Sequence, residues 1–137
     1  MTKLIYPLLC ILIFSILIVS APACKSNSSS SLDESIVRAY ADPATDTTLQ
    51  GLSENILTKY TQYGNSQFKT AVTQEMLDQA SNQITNQLGI YVSKEFLRVE
   101  ELQGYIVVHY KAKYTKGNIG VRMAFDKDHL VAGQYFE

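Results

Sequence analysis

Apolar residues follow three successive rhythms along this chain: a near-continuous run, then a helical period, then alternation. The run extends from Leu8 to Val19 and is interrupted only by Ser15. Beyond a polar stretch, Leu49 and Leu52, then Ile56, Tyr60 and Tyr63, fall three or four positions apart, the spacing of one helix face. Leu77, Ala80, Ile84 and Leu88 repeat that spacing. From Ile90 onward the period drops towards two. Ile106, Val108, Tyr110, Ala112 and Tyr114 share one face of an extended segment, with His109, Lys111 and Lys113 on the other. Ile119, Val121, Met123 and Phe125 alternate in the same way.

Boundary residues turn these rhythms into elements. Asp42-Pro43 predicts a helix start, because Asp caps free amides and Pro tolerates the first helical position. That helix would end near 51–53. A second would run from about residue 54 until Gly64-Asn65 stops it, and a short piece passes through Phe68, Ala71 and Val72. Thr73 caps a helix over 74–88, Glu75 suits its positive end, and Gly89 closes it. Strands are predicted over 96–102, 105–114, 119–125 and 130–136. Gln103-Gly104, Lys116-Gly117-Asn118 and Asp126-Lys127-Asp128 form the turns. Tight consecutive turns imply an antiparallel meander. The expected class is α+β, with N-terminal helices packed on one face of a curved sheet of about four strands. The other face, with His109, Lys111 and Arg122, should meet water.

The start of the chain bears on location. Lys3 precedes the apolar run, and Ala21-Pro22-Ala23-Cys24 follows it. A basic head, a short apolar core and small residues before a cut describe an export signal over 1–23, removed on maturation. The run falls short of the roughly 20 residues a membrane span needs. A cysteine just after the cut permits lipid attachment at Cys24. The same Ala-x-Ala pattern also suits ordinary signal peptidase. Lys25 and the Ser/Asn-rich residues behind it make a tether over 24–41, leaving a domain over 42–137. The implied location is outside the cell membrane, lipid-anchored on the plasma membrane's outer face or in the periplasm.

Composition removes several function classes. Cys10 would leave with the signal, so the mature chain has one cysteine, no internal disulfide and no Cys-based metal site. The whole chain carries 12 basic and 13 acidic residues, and loss of Lys3 takes its net charge from −1 to −2. That is not the basic footprint of a nucleic-acid binder. No Ser/His/Asp motif or phosphate-cradling glycine loop occurs, and two separated histidines make no metal site. No cofactor is implied.

Three stretches carry a resemblance: 88–96, with Tyr91-Val92-Ser93-Lys94-Glu95-Phe96; 107–114; and 121–136, closing on Val131-Ala132-Gly133-Gln134-Tyr135-Phe136. Together with Asp42-Pro43 they resemble an uncharacterised bacterial domain of secreted and lipoprotein-type envelope proteins. That domain has a reduced nuclear-transport-factor-2-like (cystatin-like) cone, and the resemblance covers about 42–137. It implies a curved sheet that can enclose an apolar pocket, for which Tyr60, Tyr63, Tyr110 and Tyr114 are the candidate lining residues. Plain core packing is the competing role for the same tyrosines. Related cones pair through the sheet, which makes Tyr105, Val107 and His109 a candidate homodimer interface. Enzymes on such cones place acid–base groups in the pocket, and the apolar strand faces here carry no Asp, Glu or His. The expected function is therefore non-catalytic: an envelope lipoprotein whose domain binds a small apolar ligand, a peptide or an envelope partner. A sheet-pairing interaction module is the alternative, and a small isomerase or hydrolase a third possibility.

Overall fold

The computed structural model of the chain describes residues 32–137; the expected signal, Cys24 and the tether up to residue 31 lie outside the described residues. Helix α1, Glu34–Glu54, begins nine residues before the expected Asp42-Pro43 start. Asp33 is the actual cap, accepting hydrogen bonds from the Ser35 and Ile36 amides at 3.0 and 3.4 Å. Pro43 lies inside the helix, and residues 34–41, expected in the tether, form its first turns. Burial explains the difference. Val37 and Ala41 continue the stripe of Ala44, Thr48, Leu49 and Leu52, and hydrophobic cover along that stripe outweighs the hydrogen bond Pro43 cannot donate. Asn55, with φ of 57°, ends the helix and returns its N–H to the Gly51 and Leu52 carbonyls.

Short helices α2, Leu57–Tyr60, and α3, Ser66–Ala71, follow. Helix α4, Gln74–Leu88, is capped by Thr73 and closed by Gly89 as predicted. Its buried stripe is Leu77, Ser81 and Ile84, while Ala80 is exposed. Between α1 and α2 the backbones come close. A Cβ on Gly51 would stand 2.7 Å from the Tyr60 Cα and 2.8 Å from the Lys59 carbonyl carbon.

The strands are β1, Tyr91–Leu102; β2, Tyr105–Tyr114; β3, Gly117–Phe125; and β4, Val131–Phe136. They form one antiparallel sheet in the order β1-β2-β3-β4, the expected meander on the expected α+β plan. Strand β1 starts five residues earlier than its alternation suggests. Register shifts between Tyr91 and Ser93, and between Phe96 and Arg98, leave Val92 and Leu97 as extra, exposed residues that break the period. Val108, Tyr110, Ala112, Tyr114, Val121, Met123 and Phe125 form the buried face against the helices. The other face is only partly wet. Lys111 and Lys113 are exposed as expected, whereas Val107 and His109 are buried.

Candidate functional site

The four candidate pocket tyrosines separate into packing roles. Tyr110 is fully buried, and its hydroxyl donates to Asp42 Oδ1 at 2.8 Å. Tyr114 is equally deep, and its hydroxyl has no partner among the described residues. Tyr60 is half-buried and donates to Gln134 Oε1 on β4 at 2.9 Å, and Tyr63 packs against the core from the α2–α3 loop. Burial pushes the Tyr60 and Tyr114 phenols up to about 12. Tyr110 is raised by burial first and then by donating to a carboxylate. These hydroxyls stay protonated at neutral pH, which suits donors rather than nucleophiles.

Beside them, on the rim between α1 and β1, Asp46 gathers two donors. Tyr91 Oη stands 2.5 Å from its Oδ1 and Lys94 Nζ 2.6 Å from its Oδ2. Lys94 is nearly buried, and the adjacent carboxylate satisfies its charge. This cluster ties the helix to the sheet.

The opposite sheet face holds a hollow of about 310 Å³ at the β1–β2 hairpin end. Leu102, Tyr105, Val107 and Ala124 form apolar walls, with Arg122 and Tyr135 at one side. The Arg122 guanidinium lies 5.1 Å from the Tyr135 ring centroid. Gly133 makes that placement possible, since a Cβ there would stand 2.9 Å from the ring. Two of the candidate interface residues, Tyr105 and Val107, are therefore wall residues of one hollow. The third, His109, pairs across the strands with Arg122.

His109 does not point to water as expected; it is only 3% exposed. Its Nε2 lies 2.7 Å from Glu100 Oε1 and its Nδ1 3.4 Å from Glu137 Oε2. The hydrogen bond from His109 holds the Glu100 carboxyl below its ordinary value, against the opposing effect of burial and with help from Arg98. Arg98 stands 3.5 Å from Glu100, and Arg122 3.4 Å from Glu137. Each imidazole nitrogen thus faces its own carboxylate, on opposite edges of the ring, so the two acids do not converge on one point. Among the described residues no group of three His, Cys, Asp or Glu is placed to hold a metal ion.

Sequence reasoning missed Glu100, Arg122, Tyr135 and Glu137 as members of this cluster. Strand pairing alone brings them to His109, and no local pattern announces it. His129 adopts φ of 61° and stacks flat on Tyr40, with centroids 4.1 Å apart, fastening the β3–β4 turn to α1.

A family model described as a protein of unknown function (DUF3887) matches residues 45–133, well over half of the chain. None of the curated proteins compared with the chain matches it.

Proposed function

We propose, from the premise that this chain belongs to the DUF3887 family, that its domain is a non-catalytic binding module which takes a small, largely apolar ligand in the hollow on the outer sheet face. The hollow carries the reading. Its 310 Å³ lies at the lower end of the roughly 300–1,000 Å³ typical of ligand sites, and Leu102, Tyr105, Val107 and Ala124 share its wall with Gln67, Gln103 and Arg122. The ionisable side chains beside it are engaged with one another. The candidate site thereby moves from the face with Tyr60, Tyr63, Tyr110 and Tyr114 to the face with Tyr105 and Val107.

The setting proposed for this module is the cell envelope. Lys3, the apolar run and Cys24 support export and attachment to a membrane through lipid on that cysteine. The helices-then-meander order supports a reduced nuclear-transport-factor-2-like cone. Exposed Leu102, Tyr105 and Tyr135 around the hollow favour one second reading, pairing of two copies through this face.

Native mass spectrometry of the protein extracted intact from its own membranes tests these points together, compared with Ala124→Trp, which fills the hollow. A small molecule on the wild type that is lost in the variant upholds the binding module. Identical empty monomers from both discard it, a dimer broken by the variant selects the pairing reading, and an unmodified Cys24 removes the lipid anchor.

A further inference from the structure

We propose that the hollow selects ligands bearing a single carboxylate on an apolar body, with Arg122 as the anion-binding residue. This rests on the binding reading above and names its ligand class. Among the described residues, Arg122 is the only charged side chain of the nine that line the hollow. A hollow whose one cation is met only by the water-screened Glu137 carboxylate outside the lining favours a monoanion over a neutral or cationic body of the same shape.

The guanidinium is prepared for that task. The Tyr135 ring lies 5.1 Å from its central carbon and confines it from one side, and a carboxylate matches a guanidinium edge with two parallel hydrogen bonds. Its partner Glu137 stands 3.4 Å away, with both side chains about 40% exposed, so water screens the pair. The exposed Glu137 carboxylate is solvated as well as paired, so an incoming carboxylate can take Arg122 while water takes over Glu137.

Volume bounds the ligand. The hollow is about twice the roughly 150 Å³ that admits a benzene ring, which leaves space for a ring or branched chain plus a short linker. Leu102, Val107 and Ala124 would cover the body, with Tyr105 across the mouth.

Calorimetric titration of the mature protein with 3-phenylpropionate and with its neutral counterpart 3-phenylpropanamide tests the assignment. The wild type should prefer the carboxylate by about tenfold, the ratio one charge-assisted pair at a half-exposed site supports. Arg122→Gln should bind both probes equally weakly, and Glu137→Gln should tighten the carboxylate alone. Equal binding of the two probes by the wild type, or a preference that survives Arg122→Gln, overturns the carboxylate assignment and leaves the binding module standing. Binding of neither probe to wild-type protein already shown empty by mass spectrometry overturns both. Thermal melts of each variant confirm that the fold persists, and Glu137→Gln decides the matter should Arg122→Gln unfold.

Discussion

Replacing Gly51 by alanine sets two effects of opposite sign against each other. Within a helix, Ala is favoured over Gly by about 1 kcal/mol, so propensity alone makes Gly51→Ala stabilising. Packing says otherwise. The added methyl would sit 2.7 Å from the Tyr60 Cα and 2.8 Å from the Lys59 carbonyl carbon, and these are backbone atoms that cannot turn aside as a side chain would. Nor can α2 retreat freely, because the Ile56 amide donates to the Gly51 carbonyl at 2.9 Å. Overpacking of this kind costs about 1–3 kcal/mol, and a backbone clash belongs at the upper end. The net expectation is a loss of about 1–2 kcal/mol, or roughly 5–10 °C in Tm for a domain near 100 residues. Urea melts followed by far-UV circular dichroism should show a lower midpoint with unchanged slope. Gln50→Ala, at the exposed neighbouring position, should stay within about 0.5 kcal/mol of wild type. Wild-type or higher stability for Gly51→Ala would refute the close α1–α2 approach.

The other expectations concern hydroxyls and protons. Tyr110→Phe should cost about 1–2 kcal/mol in a denaturation midpoint, because it deletes a donor to the Asp42 carboxylate. Tyr114→Phe should be neutral or stabilising by up to about 1 kcal/mol, since it removes a buried hydroxyl without a described partner, and equal losses for the two would contradict this difference. Acid should weaken the fold through Glu100. Its folded-state carboxyl is depressed, so its contribution is complete above the unfolded value of about 4 and disappears as pH falls through the lower folded value. His109→Leu should flatten that acid slope between about pH 5 and 3, and an unchanged slope would exclude the His109–Glu100 bond as its source.

Helix α4 was legible from Thr73 to Gly89 because its cap, apolar spacing and stop are all local. Strands β2 and β3 were legible for the same reason, their alternation running between short turns. Asp42-Pro43 misled because it satisfies the local rules of a helix start. What extends α1 upstream is cover against distant strands, felt by Val37 and Ala41. The first residues of β1 were lost to its bulges at Val92 and Leu97, which disrupt the period that reveals a strand. The candidate site was half legible. Tyr105 and Val107 share a face by simple alternation, but Glu100, Arg122 and Glu137 reach His109 only through the register of several strands.

The meander order also carries a kinetic consequence. Within the sheet each strand pairs with its neighbour in the chain, so the sheet can grow hairpin by hairpin, and the bridge from Val131 to Gly64 is the one pairing among the described residues that closes a long loop. Helix α1 differs, because beside α2 and α4 it packs on β1 and β3, strands that are synthesised and paired well after it. Docking of α1 should therefore come after sheet nucleation. In a mutational map of the folding barrier, Val108→Ala and Met123→Ala should slow folding, whereas Val37→Ala and Ala41→Gly should mainly hasten unfolding. Strain applied at the N-terminal end would then reach the last-formed contact first, leaving the sheet and its outer hollow intact after α1 has peeled away.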